Sequence, residues 1–99
     1  MISDPHAELR DRVYRTVFDG PGQTDPALRR ALADNKAVPP ELAPLVDKIH
    51  RHAYKVTDED LARLRATHGD DELFEIVVSA ALGASRNRLA AGLAALEDA

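Results

Sequence analysis

The sequence contains no cysteine among its 99 residues. This absence excludes disulfides, thiolate metal ligands and a cysteine nucleophile. Tryptophan is also absent and aromatic residues make up only 4% of the chain, so the core must be built from Leu, Val, Ile and Ala. Such a core suits packed helices better than a sheet, which favours β-branched and aromatic residues. The composition therefore predicts an all-α protein.

A strong charge of one sign and a long apolar run are lacking too. The chain has 13 Lys and Arg against 17 Asp and Glu, interspersed without a basic block, so we expect no nucleic-acid partner. The longest nearly apolar stretch, residues 76–84, is too short to span a bilayer, which predicts no membrane partner. Residues 1–6 show no basic segment leading into an apolar run, so we expect no signal peptide and a cytoplasmic location.

Proline, glycine and capping residues divide the chain into five predicted helices within one domain covering residues 1–99. The first is expected to bury an apolar edge of Leu9, Val13 and Val17. Thr57 and Asp60 resemble a capping box for the fourth helix. The five helices are expected to begin at Pro5, Pro26, Pro39, Thr57 and Asp70 or Asp71, and the last to end near Glu97.

The last helix carries the clearest prediction about assembly. It would be roughly 40 Å long. A compact chain of this size has a radius of gyration of only about 13 Å, so the helix would span or extend beyond the monomer. From Leu73 to Ala84 only Glu75 and Ser79 are polar, and a helix that is apolar nearly all round is normally buried nearly all round. Four short helices offer limited cover. We therefore expect a homo-oligomer formed through the C-terminal helix.

Polar residues on this helix form one narrow stripe, made of Glu72, Glu75, Ser79 and Arg86. The stripe is either a solvent edge, which is the favoured interpretation, or a buried polar seam. In a buried seam the pKa of Glu75 would be raised, because burial disfavours the charged carboxylate. Two glycines, Gly83 and Gly92, are costly inside a helix. They indicate either another backbone packed closely, such as a second copy of the helix, or a kink at Gly83.

The remaining motifs give weak signals for chemistry. His50 and Tyr54 would share one helical face, either as a proton-handling pair or, as favoured here, as ordinary residues at the core boundary. His50 and His52 would point to opposite sides, and His6 and His68 are isolated, so no metal site is expected. Phosphate-binding loops and nucleophile elbows are absent from the sequence, and we expect no cofactor.

Three segments resemble the carboxymuconolactone decarboxylase superfamily, which also holds the alkylhydroperoxidase D-like proteins. They read VTDEDLARLR at residues 56–65, DELFEIVV at 71–78 and NRLAAGL at 87–93, and the resemblance covers roughly residues 40–96. It implies an all-α fold whose helices interlock between subunits. The peroxidase branch depends on a CxxC pair, which this chain lacks, so none of its catalytic residues can be transferred. The decarboxylase branch uses no thiol.

Two hypotheses about function follow. The leading one is a cysteine-free, homo-oligomeric member of this superfamily without thiol redox activity, acting as a structural, binding or enzyme-accessory module. The alternative is a cofactor-free enzyme that moves a proton on a small organic acid or lactone. Its candidate residues are His50, Tyr54, Glu75 and Arg88, with the arginine holding a substrate carboxylate.

Overall fold

The structure, a computed structural model, describes residues 5–98 and contains five α-helices and no strand in that range. The long axis of the molecule measures 48 Å. This length is set by the last helix, whose 29 residues extend for about 43 Å. The helices are α1 (Ala7–Asp19), α2 (Pro26–Asp34), α3 (Ala43–His52), α4 (Asp58–Arg65) and α5 (Asp70–Asp98), with a short 3-10 turn at Ala53–Lys55.

Local capping explains most of these boundaries. α2 begins at Pro26 as predicted, and the Asp25 side chain accepts a hydrogen bond from the backbone N–H of Ala27 at 2.8 Å. It ends at Asn35, which adopts the left-handed conformation with φ of 52°. The capping box of α4 is confirmed in both directions between Thr57 and Asp60.

Two predicted starts are wrong. α1 begins at Ala7, two residues after Pro5, and residues 1–4 lie outside the described part of the chain. α3 begins at Ala43 rather than at Pro39, because the carbonyl of Pro39 accepts the N–H groups of Leu42 and Ala43 and closes a turn first.

The core lies along one side of α5. Apolar side chains from α2, α4 and the segment that includes α3 pack against this side. The buried residues of this core are Leu32, Leu42, Leu45, Val46, Ile49, Leu64, Leu73, Ile76 and Ala80. The short helices cover this side of α5, whereas Phe74 on the other side remains 69% exposed. The burial nearly all round that the apolar sequence predicts is therefore not reached within a single chain.

The first helix packs through a different edge from the one expected. Leu9 and Val13 are 58% and 45% exposed, and Val17 alone of the expected edge is half-buried. Phe18 is buried and Tyr14 is half-buried. The reason is that α1 meets the rest of the bundle mainly at its C-terminal end. There the guanidinium of Arg29, itself buried in α2, donates to the carbonyls of Val17 and Gly20, both at 2.6 Å.

The two glycines of α5 have different surroundings. A Cβ on Gly83 would overlap the backbone of Ala33 in α2, whereas one on Gly92 would meet nothing within 4 Å. The predicted close approach of another backbone is therefore confirmed at Gly83. That backbone is α2 of the same chain, and α5 continues through Gly83 without interruption.

Candidate functional site

The polar stripe of α5 lies against the N-terminal half of the protein and is a partly buried seam. Ser79 is fully buried, and Glu75 and Arg86 are half-buried. The favoured expectation of a solvent edge is therefore wrong. The sequence could not show this, because the elements covering the stripe, α1 and the loop before α2, are more than fifty residues away along the chain.

Glu75 binds the loop between α1 and α2. Its carboxylate accepts the backbone N–H groups of Gln23 at 2.6 Å and Thr24 at 3.1 Å, and the Thr24 hydroxyl at 2.9 Å. Three donors from one loop therefore converge on a single side chain. Glu75 thus fixes the approach of the chain to α2.

These donors decide the charge state of Glu75. The backbone hydrogen bond from Gln23 is the largest influence and lowers the pKa of Glu75, and the bonds from Thr24 and the charge of Arg29 act in the same direction. Burial acts to raise the pKa of Glu75, but the hydrogen bonds and the charge of Arg29 together lower it by more. The raised pKa expected for a buried seam is thus wrong in sign, because hydrogen bonds to a carboxylate favour its charged form.

Beneath this loop lies a buried cationic residue, Arg29. Besides the two carbonyls at the end of α1, its guanidinium donates to the carbonyl of Thr24 at 3.2 Å. A groove of about 270 Å³ passes over the cluster, between α1 and α5, and Val17, Pro21, Phe74 and Glu75 help to line it. Arg29 thus joins α1, the loop and α2 below this groove.

Arg86 closes the seam at its other end. It donates to the carboxylate of Asp34 at 2.9 Å and lies over the rings of Tyr14 and Phe18, with its guanidinium carbon 5.8 and 5.2 Å from the ring centres. This is a cation–π arrangement. The partners of Arg86 therefore all lie within its own chain.

His50 and Arg88 both bind the ends of helices. His50 donates from Nε2 to the carbonyl of Leu32 in the last turn of α2, at 2.8 Å. Arg88 donates to the carbonyl of His50 in the last turn of α3, at 2.7 Å. The last carbonyl groups of a helix lack an N–H partner within that helix, so side-chain donors help to satisfy them. The Leu32 carbonyl also accepts the backbone N–H of Asn35 at 3.4 Å.

Tyr54 does not share a helical face with His50. α3 ends at His52, whose backbone leaves the helical region with φ of −149° and ψ of 66°. Tyr54 then lies in the 3-10 turn, 81% exposed, and packs edge-on against His52 with ring centres 5.8 Å apart. The structure thus brings His50 and Arg88 together and places Glu75 and Tyr54 elsewhere, against the loop before α2 and at the surface.

The side of α5 opposite the core carries an exposed apolar surface that the amino-acid sequence alone did not distinguish. We call it the outer face and define it by Phe74, Val78, Ala81, Ser85, Leu89 and Leu96, which fall within about 80° of the helix circumference at 100° per residue. Phe74 and Leu96 are 69% and 63% exposed. Phe74 forms a ridge between the groove above Glu75 and a second groove of about 300 Å³, which is lined in part by Leu61, Leu73 and Val77.

Within residues 5–98, no group of three or more His, Asp or Glu side chains is arranged to hold a metal ion. None of the helices in this part of the chain combines the length and the apolar character needed to cross a membrane. Comparisons of the chain with protein-family models, with curated proteins and with solved structures find no match.

Proposed function

We propose that the protein is a homo-oligomeric helical module that associates through the outer face of α5 and acts as a structural, binding or enzyme-accessory component. The observation that carries this proposal is the exposure of Phe74 on an apolar face of the longest helix. Contiguous exposed apolar surface is a common mark of a protein interface. With no cysteine in the chain, the module has no thiol chemistry.

The second half of α5 supports the same proposal. Between residues 87 and 98 only Leu93 is even half-buried. A helical extension of this length gains little stability from packing within its own chain, because most helical stability in proteins comes from burying one face. A second subunit would supply that cover.

The resemblance to the carboxymuconolactone decarboxylase superfamily points the same way, because it implies helices interlocked between subunits. We include membership of that superfamily in the proposal. The sequence segments that suggest it, residues 56–65, 71–78 and 87–93, form α4 and much of α5, which are the elements that carry or adjoin the outer face.

The enzymatic alternative receives less support from the geometry. Proton transfer on a small organic acid would need groups such as His50 and Glu75 to converge on one cavity. Glu75 lines the groove between α1 and α5, whereas the His50 ring is hydrogen-bonded to the end of α2. Both side chains are engaged with backbone groups, which favours a structural role for each.

Sedimentation analysis over the micromolar range tests the proposal. The native chain should sediment as a dimer or larger species, and Phe74→Glu should dissociate it by placing a charge in the apolar contact. Tyr54→Glu is a matched control, since it introduces the same charge at an exposed aromatic residue away from the outer face. A native chain that stays monomeric throughout would refute the proposal.

A further inference from the structure

The outer face of α5 is flanked by charges of opposite sign at its two ends. Asp70 lies in the first turn with its side chain 88% exposed and 3.5 Å from Arg65 of the same chain, and Arg88 is exposed near the end of the packed part of the helix. Eighteen residues separate them, which is about five full turns, so both lie on the same flank of the face. Arg88 uses one donor on the carbonyl of His50, and a guanidinium has five.

Side-chain size also changes along the outer face. The large residue Phe74 lies toward the acidic end, and the small residues Ala81 and Ser85 lie toward the basic end. Ala81 and Ser85 are exposed and are separated by four residues, so they form one shallow depression on the helix surface. A large side chain opposite such a depression allows two helices to approach closely.

From the change in charge and the change in side-chain size we infer that the outer face pairs with the outer face of a second copy, the two α5 helices running antiparallel about a two-fold axis that crosses the outer face at the level of residue 79 along the helix. This inference rests on the proposed function and specifies its interface. In this register Asp70 of each copy lies beside Arg88 of the partner subunit, and Phe74 enters the depression between Ala81 and Ser85 of the partner subunit. A two-fold interface makes each contact twice.

A parallel pairing loses both kinds of complementarity. It would place the two copies of Asp70 on opposite flanks of the interface, each without an Arg88 partner, and Phe74 beside Phe74, so that the bulkiest side chains meet. The two arrangements also differ in distances along the helix axis. In the antiparallel register the two copies of Val78 are separated by about 3 Å along the axis, and the two copies of Leu96 by about 51 Å.

Single-cysteine cross-linking distinguishes the arrangements, and the cysteine-free native chain is a clean background. Val78→Cys and Leu96→Cys are a matched pair, because positions 78 and 96 are also about five turns apart and share one angular position. Helix axes 8–10 Å apart bring the two Cα atoms at position 78 within the range of about 4.4–6.8 Å that a disulfide requires.

Under mild oxidation, Val78→Cys should form a disulfide-linked dimer at least about tenfold faster than Leu96→Cys, as measured on non-reducing gels. Equal rates, or faster linkage of Leu96→Cys, would overturn the antiparallel register. A native chain that sediments as an oligomer while neither variant cross-links would overturn this inference and leave the proposed function intact. A monomeric native chain would overturn both.

Charge reversal gives an independent test by sedimentation equilibrium. Asp70→Lys should weaken the dimer roughly five- to tenfold, since two exposed ion pairs become repulsive contacts. Glu41→Lys is the matched control, because it makes the same charge reversal at an exposed carboxylate outside α5. It should change the dissociation constant by less than about twofold, and a larger effect of Glu41→Lys than of Asp70→Lys would contradict the register.

Discussion

At the scale of single residues, three of the polar side chains that could take part in a reaction instead form hydrogen bonds to backbone groups. Glu75 accepts N–H groups from the loop before α2, His50 donates to the last turn of α2, and Arg88 donates to the last turn of α3. Leaving such groups unpaired when they are buried costs about 1–3 kcal/mol each. Residue types that are common in active sites therefore have a sufficient structural reason to be where they are.

Glu75→Gln should destabilise the protein more at neutral pH than in acid. The pKa of Glu75 is lowered in the folded state, chiefly by the Gln23 hydrogen bond. A lowered folded-state pKa contributes stability above the unfolded value of about 4.3, and this contribution is lost as pH falls through the folded value. We expect a loss of about 1 kcal/mol at pH 7, since the site is half-exposed, and a smaller loss below about pH 4.

Urea unfolding of both proteins at pH 7 and in acid, at one fixed protein concentration, measures this difference. Glu41→Gln is a suitable control, because Glu41 is exposed and an ordinary surface substitution changes stability by less than about 0.5 kcal/mol. If Glu75→Gln were instead stabilising at pH 7, the carboxylate would be held against a desolvation cost, and the hydrogen-bonded arrangement described above would be wrong.

At the scale of helices, α2 and α5 cross closely at Gly83, where the backbone of Ala33 leaves no room for a Cβ. Two effects of replacing Gly83 with alanine oppose each other. Alanine is favoured over glycine in a helix by about 1 kcal/mol, but its Cβ would overlap the Ala33 backbone. Overpacking of this kind typically costs about 1–3 kcal/mol, and backbone on both sides leaves little room to relax. The steric term should therefore prevail.

Gly83→Ala is thus expected to destabilise the protein by roughly 1–3 kcal/mol. Gly92→Ala, in the same helix but in open space, should stabilise it by up to about 1 kcal/mol. Melting curves of the two variants provide the comparison. Stabilisation by both would show that α2 and α5 are farther apart than described.

The helices differ in how well their sequences predicted them. α2 and α4 were placed closely because their caps, Asp25 and Thr57, act within a few residues. α1 was given the wrong buried edge because its apolar spacing at Leu9, Val13 and Val17 carries no information about where the rest of the bundle lies. The same limit applies to Glu75, whose partners at Gln23 and Thr24 are remote in sequence.

At the scale of the whole molecule, α5 determines both the shape and the exposed surface. One side of it forms the core with α2, α3 and α4, while its outer face and its last dozen residues extend beyond the bundle. The apolar composition of residues 73–84 indicated an excess of surface to bury. It could not show how that surface divides between the chain's own helices and the outside, since that depends on tertiary packing.

The proposed assembly predicts a melting temperature that depends on concentration. If a folded dimer unfolds to two free chains, each tenfold rise in protein concentration stabilises the dimer by about 1.4 kcal/mol. Unfolding entropy is about 2.1 cal/mol/K per residue, or roughly 0.4 kcal/mol/K for two chains of 99 residues. The melting temperature should therefore rise by about 3 °C for each tenfold increase in concentration.

Phe74→Glu should melt at a temperature independent of concentration, whereas Tyr54→Glu should keep the native dependence. Calorimetry across two decades of concentration measures all three, and a native chain with a constant melting temperature would contradict an assembly coupled to folding.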